Sequence, residues 1–62
     1  MCLSTVFAVS QGSENKVCEY VCSVKVNGDV VKLNDVMGVE TEVKGKLVSC
    51  DFVSNKIVIE EA

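Results

Sequence analysis

Short runs in which apolar and polar residues alternate, most of them rich in valine, cover nearly the whole chain. Valine alone supplies 14 of the 62 residues. Because its branched side chain is stiff at χ1 and packs well on a pleated surface, valine favours strands over helices. The runs span residues 3–9, 16–26, 30–33, 39–44, 46–53 and 57–60. The pattern predicts an all-β protein of six short antiparallel strands.

Turn residues separate these runs. Asn27-Gly28 is typical of a two-residue hairpin with a type I′ turn, in which both central residues need a positive φ. Residues 10–15 are predicted to form a polar loop, residues 35–38 the next turn, and Gly45 the break between two strands. A barrel that closes on itself hides strand edges that would otherwise pair with other chains. We therefore predict a small, closed, SH3-like or Sm-like barrel without substantial helix.

Alternation also predicts which side chains face the core, because successive residues of a strand point to opposite faces. The second run is long, and we expect a bend or a bulge near Ser23. The inward phase of the predicted strands includes Phe7, Tyr20, Val31, Leu33 and Phe52.

Three of the four cysteines, Cys18, Cys22 and Cys50, fall in phase with apolar residues of the predicted strands. A buried free cysteine behaves as a small hydrophobe, so core packing is the predicted role of all three. Cys18 and Cys22 would lie about 13 Å apart along an extended strand, too far to share one ion through thiolate bonds of about 2.3 Å. Cys2 differs, because it precedes the first apolar run and burial does not explain it.

Cys2 is the candidate metal ligand. If Met1 is trimmed, the α-amine and the thiolate of Cys2 close a five-membered chelate ring on a metal ion. If Met1 is kept, the donors are its amine, the backbone amide nitrogen of Cys2 and the thiolate, a set that chiefly nickel(II) or copper(II) can use. Nitrogen and sulfur donors favour such planar ions over magnesium or calcium. A two-fold dimer that brings two chain starts together would complete four donors.

Charge and residue inventory argue against several other classes of function. Six lysines, nine acidic residues and no arginine give a net charge of −3. Such a chain neutralises phosphates poorly, so we expect no nucleic-acid partner. The chain has no histidine, which removes the commonest general base, and we predict that the protein is not an enzyme.

Size and hydropathy give further expectations. A chain of 62 residues is expected to form one domain, residues 1–62. No run approaches the 18 or so apolar residues of a membrane span, and the start lacks the pattern of a secretory signal. We therefore expect a cytoplasmic protein with reduced thiols and no membrane partner.

A set of short segments along the chain matches the pattern of a known family. The sharpest is Met1-Cys2; the others are FAV at 7–9, NGDVVKL at 27–33, VMGVE at 36–40, VKG at 43–45 and SNKIVIE at 54–60. Together they resemble the CooT family of small nickel-binding proteins associated with maturation of carbon monoxide dehydrogenase. The resemblance implies a homodimer of small β domains in which the Cys2 thiolate binds nickel(II), and contact with the maturation proteins of a nickel enzyme. Asn55 departs from the pattern, since family members often carry His there.

Three functions are compatible with these features of the sequence. The first is a nickel carrier, buffer or sensor that holds the metal at paired Cys2 residues. The second is an Sm-like barrel that binds RNA, and the third is a β interaction module in which Cys2 is incidental. The identity of the metal also stays open, because copper outcompetes nickel at most sites with nitrogen and sulfur donors.

Overall fold

Five strands form a closed barrel in this computed structural model, which describes residues 3–62. The strands are β1 (Ser4–Ser10), β2 (Ser13–Asn27), β3 (Val30–Asp35), β4 (Glu40–Asp51) and β5 (Lys56–Glu61). Each strand pairs with the next in antiparallel fashion, and a parallel pairing of β1 with β5 closes the ring. The predicted all-β barrel is therefore confirmed. Within residues 3–62, no helix is long and apolar enough to cross a membrane.

The predicted break at Gly45 is wrong, and this accounts for five strands in place of six. Gly45 lies buried inside β4, at the point where the strand leaves β3 and begins to pair with β5. Its backbone N–H donates a hydrogen bond to the carbonyl oxygen of Asp29 at 2.7 Å. A Cβ atom at this position would collide with the backbone of Glu60. Glycine is used here for close backbone approach rather than to end the strand.

The bulge predicted near Ser23 is confirmed. The register between β2 and β3 shifts between Val21 and Ser23. A second bulge lies between Cys18 and Val21, where β2 pairs with β1, and Tyr20 in this bulge has a φ of 58°. A bulge bends a strand and increases its local twist. The bend lets the first part of β2 pair with β1 and the last part with β3.

Two hairpins close with tighter turns than predicted. The expected polar loop at 10–15 shrinks to Gln11-Gly12, with φ values of 51° and 81° as a type I′ turn requires. The hairpin after β2 is confirmed, but its central residues are Gly28 and Asp29, since Asn27 pairs with Val30. Of these two only Gly28 has a positive φ, the pattern of a type II′ turn.

A small aliphatic core fills the barrel. Val31 and Leu33 point inward as predicted, with 0% and 1% of their surface exposed. In β1 the predicted face is wrong: Val6 and Ala8 are buried, while Phe7 is half-buried on the other side. Both faces of β1 carry apolar residues, so the pairing with its neighbours, and not alternation, decides which face turns inward. The buried apolar residues are Val6, Ala8, Val21, Val31, Leu33, Ile57 and Ile59.

Two aromatic side chains predicted to be inward are exposed instead. Tyr20 is 58% exposed, because the bulge between Cys18 and Val21 takes it out of the strand's alternation. Phe52 is 64% exposed, because β4 ends at Asp51 and Phe52 begins the turn that follows. The Asp51 carboxylate closes that turn by accepting hydrogen bonds from the backbone N–H groups of Val53 and Ser54.

Candidate functional site

The start of β1 is firmly held by the barrel. Cys2, the predicted metal ligand, lies outside the described residues, and Leu3 is the first residue with a described position. Ser4 opens the strand with only 3% of its surface exposed and pairs with Val21 on β2. The backbone N–H of Thr5 donates to the carbonyl oxygen of Asn55 at 2.9 Å. The chain therefore enters the barrel at a fixed point between β2 and the turn before β5.

Several exposed apolar residues belong to the segments next to that entry point. Tyr20 precedes Val21, the pairing partner of Ser4, and its carbonyl oxygen accepts a hydrogen bond from the backbone N–H of Val36 at 3.0 Å. Val36 and Met37 are 52% and 83% exposed. We call Leu3, Tyr20, Val36 and Met37 the N-terminal patch.

Asp35 fixes the turn that presents part of this patch. Its Oδ1 accepts hydrogen bonds from the backbone N–H groups of Met37 and Val39, each at 2.9 Å. Gly38 completes the turn with a φ of 87°, and its N–H donates to the carbonyl oxygen of Asp35 at 3.0 Å. The predicted turn at 35–38 is thus confirmed. The side chain of Met37 projects from a backbone that is held by several hydrogen bonds.

An open cleft of about 450 Å³ lies between the last part of β2 and the last part of β4. The base consists of side chains with little exposed surface, and the walls carry exposed side chains of the two strands. No charged residue lines it. We call this feature the thiol cleft; its lining residues are Ser4, Val21, Cys22, Ser23, Val24, Val26, Leu47, Cys50, Phe52 and Ile57.

Two of the three cysteines predicted to pack in the core line this cleft instead. Cys22 and Cys50 are both exposed and free. Alternation correctly puts Cys22 in phase with Val24 and Val26, but that face borders the cleft. The cause is the pairing: the end of β2 turns to β3 while the end of β4 turns to β5, so the two walls diverge. The sequence predicts the face that Cys22 shares with Val24 and Val26. It does not show that a gap separates β2 from β4 at this point.

Cys18 comes closest to its predicted role. It is half-buried and packs against the core. Burial raises the pKa of the Cys18 thiol, and the negative charge of Asp35 raises this pKa further. A thiol with a raised pKa carries little thiolate at neutral pH, so Cys18 is a poor nucleophile and a poor metal ligand.

Asn55 carries a polar atom whose partner is not found among residues 3–62. Its Oδ1 is buried and accepts no hydrogen bond there. The residue adopts a φ of 55°, which asparagine tolerates better than most side chains. In the sequence, Asn55 stands out only as a departure from a family pattern. The structure places it beside the start of β1, where its carbonyl oxygen binds the N–H of Thr5.

No group of three or more His, Cys, Asp or Glu side chains among residues 3–62 is arranged to hold a metal ion. Three of the six lysines form ion pairs with glutamates. Ion pairs join Lys16 to Glu19, Lys32 to Glu42 at 3.5 Å, and Lys56 to Glu14 at 3.1 Å. The thiol cleft is lined by no carboxylate or imidazole, so its strong metal donors are the two cysteine sulfur atoms.

These features define a class of protein: a small closed β-barrel that offers thiols, an apolar cleft and an apolar patch for binding. Three comparisons with known proteins narrow the class. The family model described as CO dehydrogenase accessory protein CooT matches residues 1–60. The chain belongs to the CooT family, as the sequence resemblance predicted. The family description is that of an accessory protein of an enzyme and not of a catalyst, in agreement with the prediction that this protein is not an enzyme.

Two individual proteins resemble this chain. A protein of Archaeoglobus fulgidus, described as uncharacterized, is 40% identical over 42 residues, which cover 68% of this chain and 93% of that protein. The crystal structure of a candidate CooT from Carboxydothermus hydrogenoformans superposes with a TM-score of 0.87 at 21% identity, covering 98% of each chain. At that identity the second match establishes the shared barrel fold.

Proposed function

We propose that this protein is a nickel(II)-binding accessory protein that serves the maturation of a nickel enzyme such as CO dehydrogenase. The Cys2 thiolate and nitrogen donors at the chain start hold the metal across a homodimer in the cytoplasm. Membership of the CooT family supports the accessory role. This proposal includes the metal, its ligands and the dimer, and it treats residues 1–62 as one domain.

The observation that carries this proposal is the fixed entry of the chain beside an exposed apolar patch. Ser4 is 3% exposed and paired to β2, so the barrel anchors the chain two residues after Cys2. Two residues reach at most about 7 Å. A short tether of this kind keeps the thiolate close to the N-terminal patch. Two copies that join through their patches therefore bring two Cys2 thiolates to the same axis.

The donor set explains the choice of metal. One chain start supplies a nitrogen and a thiolate, and two chains related by a two-fold axis supply two of each. Four such donors suit the square-planar geometry of nickel(II), whereas magnesium and calcium prefer oxygen. Binding releases protons from the thiols and amines, so nickel affinity rises with pH.

The N-terminal patch supports a second copy as the partner. A domain of about 60 residues buries a limited fraction of its surface, and chains of this size often gain stability from self-association. Leu3, Tyr20, Val36 and Met37 are large apolar side chains that remain 37–83% exposed in one chain. In an isologous contact these same side chains of both copies lie in the interface and are buried there.

Native mass spectrometry together with isothermal titration of nickel(II) tests the proposal. We expect a dimer that binds one nickel ion per two chains. Cys2→Ser should abolish nickel binding while leaving the circular dichroism spectrum unchanged. Cys22→Ser and Cys50→Ser are matched controls, because both residues are exposed cysteines that the proposal does not use as nickel ligands, and both variants should bind nickel normally. Stoichiometric nickel binding by the Cys2→Ser protein would refute the assignment.

An RNA-binding role has one observation in its favour, because Tyr20 and Phe52 are exposed and aromatic side chains stack on bases. The charge distribution opposes it. Three of the six lysines are paired with glutamates, and the net charge is −3. We expect no binding of single-stranded RNA in a filter assay at low salt; submicromolar binding would favour this function instead.

A further inference from the structure

Two free thiols from different strands share one cavity. Cys22 on β2 and Cys50 on β4 both line the thiol cleft, and both are exposed. A cavity of about 450 Å³ is roughly 10 Å across, a size at which small ligands bind. Cys22 and Cys50 stand on opposite walls of this cavity, so one ion binds both sulfur atoms when the two side chains turn toward each other.

The current contacts of Cys22 leave it free to turn into the cleft. Its Sγ donates a hydrogen bond to the carbonyl oxygen of Asn34 at 3.6 Å. A thiol is a weak donor, so this bond is easily given up. The side chain of Cys22 is exposed and lines the cleft, and Cys50 is exposed on the opposite wall.

The chemistry of the lining selects the ligand. Carboxylates and imidazoles are absent from the cleft, so hard cations find no preferred donors. A structural zinc site takes four donors in a tetrahedron, and residues 3–62 contain no group of even three His, Cys, Asp or Glu side chains suited to a metal. Two thiolates alone suit a soft ion of low coordination number. We propose that the thiol cleft is a sulfur-only site for monovalent copper, with Cys22 and Cys50 as its ligands.

Binding involves no change of oxidation state. Each thiol loses its proton to solvent, two copper–sulfur bonds form, and the ion stays copper(I). The site as a whole then carries one negative charge. Val24, Leu47 and Phe52 form apolar walls beside the two thiols. Since protons are released, affinity for copper(I) rises with pH.

This site is separate from the proposed nickel ligands. It uses neither Cys2 nor the N-terminal amine and needs no second copy of the chain. It also bears on metal selectivity, because copper competes strongly for nitrogen and sulfur donors. When the thiol pair binds copper(I), the donors at the chain start remain available for nickel(II).

Anaerobic titration with copper(I) in the presence of a chromophoric copper(I) chelator tests the inference, with the Cys2→Ser protein as the starting point. We expect one copper(I) per chain in this protein. Adding Cys22→Ser or Cys50→Ser should each weaken binding by at least about 100-fold. Adding Cys18→Ser, the matched control outside the cleft, should leave affinity unchanged.

Three results would overturn the inference: loss of copper(I) binding in the Cys2→Ser protein, full affinity after removal of either Cys22 or Cys50, or an equal loss with Cys18→Ser. X-ray absorption on the copper-loaded Cys2→Ser protein provides a check that needs no further variant. Two sulfur neighbours and no nitrogen neighbour are expected, and a nitrogen-containing shell would contradict the site. Nickel titrations of the same proteins report separately on the proposed function.

Discussion

Gly45 lies directly against the backbone of Glu60, at the point where β4 exchanges β3 for β5 as its partner. A Cβ atom on Gly45 would overlap the carbonyl oxygen of Glu60, and backbone cannot move aside as a flexible side chain can. Gly45→Ala should therefore force the two strands apart and lower the free energy of unfolding by roughly 2–4 kcal/mol. Urea unfolding followed by circular dichroism measures the loss.

Gly12→Ala is the matched control for this substitution. Gly12 also has a positive φ, 81°, but no atom lies within 4 Å of the position of its added Cβ. Only the conformational penalty applies there, about 1–2 kcal/mol. If both variants lose the same free energy of unfolding, the close approach of Gly45 to Glu60 does not contribute to the cost of the substitution.

Asp51 links the stability of the barrel to pH. The pKa of its carboxyl lies below the ordinary value of 3.8, because the ionised form accepts hydrogen bonds from the backbone N–H groups of Ser54 and Val53. A lowered pKa in the folded state contributes stability above the unfolded pKa, and this contribution disappears as pH falls through the folded value. Asp51→Asn should be less stable than the unmodified protein at neutral pH, and the difference should shrink below about pH 4. Urea unfolding at a series of pH values decides it; a difference that persists or widens in acid would be contrary to this account.

The three described cysteines should differ in reactivity. Cys22 and Cys50 are exposed, whereas Cys18 is half-buried with a pKa raised by burial and by Asp35. Because the thiolate is the nucleophile, Cys18 should be alkylated several-fold more slowly by iodoacetamide at mildly alkaline pH. Peptide mass spectrometry at increasing times gives the three rates. Unfolding in urea should make the rates similar, and an equally fast Cys18 in the folded protein would contradict the packing described here.

The fold was predictable because its signals are local. Valine-rich alternation gives the strands, and Asn27-Gly28 marks a hairpin that the structure contains. Gly45 was misread because glycine both ends strands and allows close backbone approach. The two uses differ only in what lies opposite, here Glu60, which is far away in sequence.

The candidate site was less predictable, because its decisive features depend on how strands diverge. Cys22 shares a face with Val24 and Val26 in the sequence pattern as in the structure. Whether such a face meets the core or an open cleft depends on which strands the last parts of β2 and β4 pair with. Alternation contains no information about that pairing. The bulge at Tyr20 similarly turns an inward residue outward. Cys2, in contrast, was singled out by its position, and that prediction awaits experiment.

Nickel(II) should stabilise the folded protein if Cys2 holds the metal. A ligand that binds only the folded state adds about 2.7 kcal/mol per site at one hundred times its dissociation constant. One such ion is shared by two chains of this size, so the corresponding rise in the thermal midpoint is roughly 10 °C. Differential scanning calorimetry with and without nickel measures the rise, which Cys2→Ser should abolish and Cys50→Ser should preserve. A midpoint that stays constant at saturating nickel would mean that the metal does not bind the folded barrel, whichever thiol is present.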